Sequence, residues 1–224
     1  MNPNDTKGKV AKGYKSVAKS YDIFMSGADM RGRIILKIMG RFNVNAYREK
    51  LLTLIANDFS GKLLDIPCGT GALTYKKYEQ MTNAEIICMD YSNEMLEVAK
   101  SRYTNDNIKI MQGDVGNIPF TDKTFDVVLS MNGFHVFPDK EIAFNEINRV
   151  LKDNGTFVGC FYIKERVKRA DWFIKHFFEP NGIFTAPFYT YEELKRKLES
   201  QYIIKEYWTV GPTICFQCKK ANNK

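Results

Sequence analysis

Apolar positions in the first part of the chain recur every three or four residues. Val10, Tyr14, Val17, Ala18 and Tyr21 fall on one face of a helix, and Ser26-Gly27-Ala28-Asp29 ends it. Ile34, Ile35, Ile38, Met39 and Phe42 mark a second helix, with Arg33, Lys37 and Arg41 at four-residue steps on its other side. Leu51, Leu52, Leu54 and Ile55 mark a third over 46–58. From Gly61 the pattern changes. Leu63, Leu64 and Ile66 form a short strand with one acid, Asp65, set in it, and the chain turns through Pro67, Gly69 and Gly71 into a helix over 73–81. Strands follow at 85–90, 108–112, 125–131 and 156–163. Between them lie a helix capped by Ser92, with Met95, Leu96, Ala99 and Tyr103 as its stripe, and a helix over 139–151 closed by Gly155 as C-cap. Strand, helix, strand in repetition predicts an α/β doubly wound parallel sheet with helices on both faces.

Past residue 163 the rhythm breaks. A basic, then aromatic helix spans 164–178 (Trp172, Phe173, Phe177, Phe178), and an aromatic-rich loop covers 185–190. A helix over 191–198 precedes two strands, 202–210 and 213–219, joined only by Gly211-Pro212. So short a link forces an antiparallel hairpin, because a parallel crossover needs a dozen or more residues. The chain therefore reads as one domain over 1–224: a helical cap at 1–58, a core at 61–163, a cap insertion at 164–189, and a closing helix and hairpin at 190–219. Both flanks carry aromatic faces and are expected to form a lid over the core.

Composition narrows the class. With 224 residues, 44% hydrophobic and 26% charged, the chain can bury a real core as a soluble globular protein. No apolar run approaches bilayer length, and the polar start is no signal peptide. Five cysteines without framework spacing fit a reducing cytosol, so a cytoplasmic location is expected. Cys215-Phe-Gln-Cys218 is the only C-x-x-C, and with no second pair it reads as two packed strand cysteines, not a metal site. The net charge of +7 is spread along the chain, which describes a solvated surface better than a nucleic-acid footprint. The Arg33/Lys37/Arg41 face leaves peripheral membrane contact open.

Chemistry enters at the glycine turn. Backbone N–H groups at a strand-to-helix turn favour an anion, and glycines let a ligand approach closely. Asp90 ends the next strand about twenty-five residues after Asp65, near the separation expected for a ribose-binding carboxylate. Gly113-Asp114 closes the strand after that.

Asp65-Ile-Pro-Cys-Gly-Thr-Gly71, Met89-Asp-Tyr-Ser-Asn-Glu-Met95 and Gln112-Gly-Asp-Val-Gly-Asn-Ile-Pro-Phe120 resemble three cofactor motifs of the class I S-adenosylmethionine-dependent methyltransferases. Phe125–Ser130 and Glu146–Gly155 continue the likeness in register, and Tyr14–Asp22 is similar to the N-terminal element of quinone-biosynthesis and related small-molecule members. The resemblance implies a seven-stranded sheet in the order 3-2-1-4-5-7-6 with its last strand antiparallel. It implies S-adenosyl-L-methionine as cofactor and direct methyl transfer to a small-molecule acceptor. Carried over by position, Asp65 would meet the methionine ammonium. Pro67, which replaces the family's first glycine, would with Gly69, Thr70 and Gly71 form the turn beneath the cofactor. Asp90 would accept from both ribose hydroxyls, with Tyr91 and Met95 flanking the adenine. Asp114 would accept from the adenine amine beside the Val115 N–H. Ser130, Met131 and Asn132 would lie beneath the sulfonium, and Tyr14 and Tyr21 would close over the methionine end.

His135 is the best-placed general base, if the acceptor needs one; packing under the cofactor loop is its alternative. A nicotinamide dehydrogenase would want a third glycine that Gly69-Thr-Gly-Ala-Leu-Thr74 lacks, and it explains neither Asp65 nor the hairpin. A base-methylating enzyme would show an Asn/Asp-Pro-Pro-aromatic signature where Ser130-Met-Asn-Gly stands. A lipid or quinone acceptor at a membrane surface, or a non-catalytic cofactor-binding protein, remain the other readings. The sequence leaves oligomeric state open.

Overall fold

The computed structural model describes Ile34 and residues 44–221. The first two expected helices, with Tyr14, Tyr21 and the Arg33/Lys37/Arg41 face, lie outside the described residues. From residue 44 the chain forms α1 (Val44–Thr53), β1 (Gly61–Asp65), α2 (Tyr75–Tyr78), β2 (Ala84–Asp90), α3 (Asn93–Lys100), β3 (Ile108–Gln112) and β4 (Phe125–Met131). It continues through α4 (Lys140–Val150), β5 (Leu151–Tyr162), α5 (Lys168–Phe173), a π-helical turn (Ile174–Phe178), α6 (Tyr191–Glu199), β6 (Tyr202–Val210) and β7 (Thr213–Lys220).

The sheet order is β3-β2-β1-β4-β5-β7-β6, and β7 runs antiparallel to both neighbours. Successive strand residues point to opposite faces, which is how near-continuous apolar runs serve two cores. Leu64, Ile87 and Val128 face a layer built on α4 and α6 with Phe144, Ile147, Leu194 and Leu198. Leu63, Ile86 and Val127 face the layer built on α1 and α3 with Tyr47, Leu51 and Leu96. Each such fully buried side chain contributes about 1.5–3 kcal/mol. Cys215 and Cys218 are buried in opposite layers and unpaired, as the alternation of β7 requires. The cap insertion forms a third, smaller cluster in which Phe173, Ile174, Phe178 and Phe184 pack on Tyr162.

Local boundaries depart from the sequence pattern in several places, and the helix expected over 46–58 already ends at Thr53. The helix expected over 73–81 shrinks to a single turn, because residues 68–75 are used in tight turns: Gly71 N–H donates to Cys68 O and Thr74 N–H to Gly71 O. The basic–aromatic helix starts only at Lys168 and widens into the π-helical turn. Gly155 is not a C-cap. Leu151 is already extended (φ −71°, ψ 134°) and begins β5 directly, while Asn154 takes the left-handed conformation (φ 61°).

Candidate cofactor cleft

At the carboxyl ends of β1, β2 and β4 the chain leaves an open cleft. Such a crevice is where open α/β sheets take ligands. Asp65, Pro67, Gly69, Thr70, Asp90, Tyr91, Met95, Asp114, Val115, Met131 and Asn132 all line it. Residues scattered over 68 positions of sequence are thus brought to one site.

Asp65 is the most unusual group in the cleft. It is 1% exposed, and Oδ2 accepts from Tyr78 Oη at 3.0 Å and Thr74 Oγ1 at 3.2 Å. Thr74 in turn shares a hydrogen bond with Tyr103 Oη at 2.9 Å. Oδ1 is buried without a partner among the described residues. Burial pushes the carboxyl up to about 7, against the pull of the Tyr78 and Thr74 hydrogen bonds, and nearby Asp90 adds to the rise. A buried carboxylate oxygen left unpaired is costly unless something cationic arrives to meet it.

Asp90 stands at the end of β2, 8% exposed. Its Oδ2 accepts from Gly69 N–H at 2.8 Å and its Oδ1 from Ser92 N–H at 2.9 Å. The carboxylate therefore ties the β1 turn to the start of α3, where Ser92 caps by accepting from Met95 N–H. Burial raises its pKa, with the backbone donors opposing. Each oxygen retains a lone pair for a hydroxyl donor. Asp114 Oδ1 accepts from Gly116 N–H at 2.8 Å, shaping the turn that presents Asp114 and Val115 to the cleft. Tyr91 is 47% exposed at the rim, whereas Met95 is buried behind it.

Two glycines of the turn differ in role. Gly69 has φ 56°, and a Cβ there would meet nothing within 4 Å, so its bare backbone faces open space. Gly71 has φ 73°, but a Cβ there would lie 2.7 Å from Tyr103 Oη. Gly71 does not line the cleft and makes room for Tyr103 instead of a ligand. Ser130 also departs from expectation. It is fully buried, off the cleft, with Oγ turned under the following loop, where a Cβ on Gly133 would come within 2.7 Å of it. Asn132 does reach the cleft, in a left-handed conformation (φ 56°) that backbone strain alone would disfavour. Tyr47 on α1, fully buried, holds its amide: Asn132 Nδ2 donates to Tyr47 Oη at 3.0 Å.

His135 lies behind the cleft wall. Its ring stacks on Phe184 at 4.0 Å, and Nδ1 accepts from Tyr162 N–H at 3.4 Å. Burial, with Lys140 nearby, pulls the imidazole down to about 3, so it is neutral at physiological pH. This geometry fits the packing alternative, with the ring turned away from the cleft lining.

Sequence reasoning missed Thr74, Tyr78 and Tyr103, the hydroxyls around Asp65. Only the spacing of Thr74 before the short helix hinted at them. It also missed Val136, Phe137 and Pro138, which form the apolar wall beside Asn132. The stretch from His135 is tied to the cap insertion: Thr185 N–H donates to His135 O at 2.8 Å and Thr185 Oγ1 to Val136 O at 2.7 Å. Lys140 Nζ bridges Phe137 O at 3.1 Å and Thr185 O at 2.7 Å. No feature of the pattern announces that a lysine at a helix start is buried, and burial draws its pKa down to about 8.

The sheet order is that of the class I S-adenosylmethionine-dependent methyltransferases, and the chain carries a domain of that family: residues 64–159 match the family model described as Methyltransferase domain. Among curated proteins, a demethylmenaquinone methyltransferase of Thermotoga maritima is 30% identical over 154 residues, 66% of each chain. The chain spans 41–66% of the length of the first demethylmenaquinone methyltransferases it matches. Two solved structures share the fold. One is a chain of the complex between the Haloferax volcanii Trm112 methyltransferase activator and a methyltransferase (TM-score 0.69, 18% identity, 89% of this chain and 98% of that one). The other is geranyl diphosphate methyltransferase in complex with GPP and sinefungin (TM-score 0.66, 13% identity, 79% and 77%).

Proposed function

We propose that the cleft binds S-adenosyl-L-methionine and that the protein transfers its methyl group to a small-molecule acceptor. The observation that carries this reading is Asp65 Oδ1, a buried carboxylate oxygen at the cleft with no partner among the described residues. It fits the ammonium of the methionine tail. Asp90 fits the ribose hydroxyls at the other end of the turn, with Tyr91 and Met95 as the adenine walls and Asp114 and Val115 beyond. Gly69 leaves the backbone bare between the two acids.

The cofactor supplies an activated methyl on a good leaving group, so the protein's work is to align the acceptor and keep water out. Asn132, clamped by Tyr47, and the Val136–Pro138 wall would serve that purpose. Among the described residues lining the cleft, the two buried acids are committed to binding and no histidine faces in, so an acceptor already nucleophilic at neutral pH suits the site best.

A second reading concerns the acceptor. The relatives at 30% identity are named demethylmenaquinone methyltransferases, which favours an apolar ring compound over a polar metabolite. Calorimetric titration with the demethylated product, S-adenosylhomocysteine, tests the cofactor assignment. Micromolar binding lost in Asp65→Asn is the expected result; absence of binding to the folded wild type would overturn it. Methyl-transfer assays across phenols, amines, quinone precursors and aminolipids then separate the acceptors.

A further inference from the structure

The outer surface of the cap insertion has a composition that the cleft does not explain. Over residues 168–178 the inner side chains, Phe173, Ile174 and Phe178, are buried against Tyr162 and Phe184. The outer side leaves two large aromatics in water: Trp172 is 56% exposed and Phe177 47%. They form one group, with Trp172 stacked on His176 at 4.7 Å and set edge-on to Phe177 at 5.8 Å. Lys168, Arg169 and Lys175 surround them, all exposed and all without an ion pair among the described residues. The only acid of the segment, Asp171, is turned inward, accepting from Tyr162 Oη at 2.7 Å and from Glu165 N–H at 3.1 Å. Aromatic tips ringed by unpaired cations, with no exposed acid between them, match the headgroup region of an anionic bilayer. There rings sit at the boundary and lysines meet lipid phosphates.

We propose that this face, Trp172 and Phe177 with Lys168, Arg169 and Lys175, docks the protein on an anionic lipid surface. The placement has a purpose that rests on the methyltransferase reading of the cleft. Phe178 packs on Phe184 at 5.1 Å, Phe184 stacks on His135, and His135 leads directly into the Val136–Pro138 wall. Seated on a bilayer, the cap would hold the acceptor end of the cleft next to the phase in which an apolar acceptor dissolves.

The test uses the full chain and vesicles of phosphatidylcholine with or without about a third phosphatidylglycerol. The protein should sediment with anionic vesicles at low salt and be released as salt rises, because exposed charges are screened. With Trp208 replaced by Phe, the remaining Trp172 emission should shift to the blue on binding. K168Q/R169Q/K175Q should weaken partition about a hundredfold, at roughly fivefold per cation. W172A/F177A should weaken it about tenfold while leaving the salt dependence. These side chains are exposed, so thermal melts should match wild type. Titration with S-adenosylhomocysteine runs in parallel. Normal product binding with no partition into anionic vesicles, or partition unaltered in both variants, overturns the docking proposal alone. Failure of wild type to bind the product overturns the reading of the cleft instead. Preference for a polynucleotide over vesicles at equal salt would also overturn the proposal and assign the face to nucleic acid.

Discussion

Replacing Asp65 by Asn should stabilise the protein in the absence of ligand while abolishing cofactor binding. The free acid has a pKa of 3.8 and the folded one about 7, because burial opposes its charge. Below pH 4 the carboxyl is protonated whether the chain is folded or not, and it costs nothing. Between pH 4 and 7 the unfolded chain gives up the proton and the folded chain keeps it, so stability falls as pH rises. Above pH 7 the loss is complete. At about 1.4 kcal/mol per pH unit over roughly three units, it amounts to ~4 kcal/mol, an upper figure because water relaxes around buried charges. Asparagine is nearly isosteric, never ionises, and its carbonyl oxygen can still accept from Tyr78 and Thr74. Urea denaturation of both proteins at pH 5 and pH 8 isolates the effect, since titrating groups not coupled to Asp65 cancel in the difference. The advantage of the variant should be about 1 kcal/mol at pH 5 and grow by about 2–3 kcal/mol at pH 8. Calorimetry at pH 8 should show product affinity reduced at least a hundredfold, because the ammonium of the ligand loses its anion. A variant less stable than wild type at pH 8, or one that binds the product undiminished, would refute the assignment of Asp65 as a carboxylate held for a cation.

Gly71→Val should destabilise the fold by more than 2 kcal/mol through its clash with Tyr103 and its positive φ, whereas Gly69→Ala should cost about 1–2 kcal/mol of strain and mainly weaken product binding; paired thermal melts and titrations check the contrast. Asp90→Ala should cost both stability and about 2–4 kcal/mol of cofactor binding, since it frees the Gly69 and Ser92 N–H groups as well as removing the ribose acceptor; unchanged affinity in the folded variant would count against the ribose role. The His135 imidazole should show no titration by NMR between pH 5 and 8, and a midpoint inside that range would reopen a catalytic role. Polynucleotide binding should be weak near physiological salt despite the net charge of +7, and tight, steeply salt-dependent binding to RNA would contradict the small-molecule reading.

What the sequence determined on its own was the part written in local pattern. Period-two and period-three-to-four alternation placed β1 to β7 and, among the described residues, α1, α3, α4 and α6, with ends off by up to five residues. The two-residue Gly211-Pro212 link dictated an antiparallel pair, because no parallel crossover fits in it. An acid in an apolar strand, a glycine turn and a second acid at the next strand end marked one side of the cleft, since each is expensive without a ligand to serve. The tertiary structure decided whatever depends on what a side chain meets from distant sequence. It paired Asp65 with Thr74 and Tyr78 and left Oδ1 open. It set Tyr103, thirty-two residues downstream, against Gly71, and so moved that glycine from ligand space to packing. It turned Ser130 under the loop, buried the His135 ring against Phe184, and tied down the Val136–Pro138 wall with Lys140 and Thr185 from separate elements. Periodicity reports which face of an element is buried; it carries no information on the partner that covers it, and it is that partner which sets a pKa, a cavity or a lone unpaired oxygen.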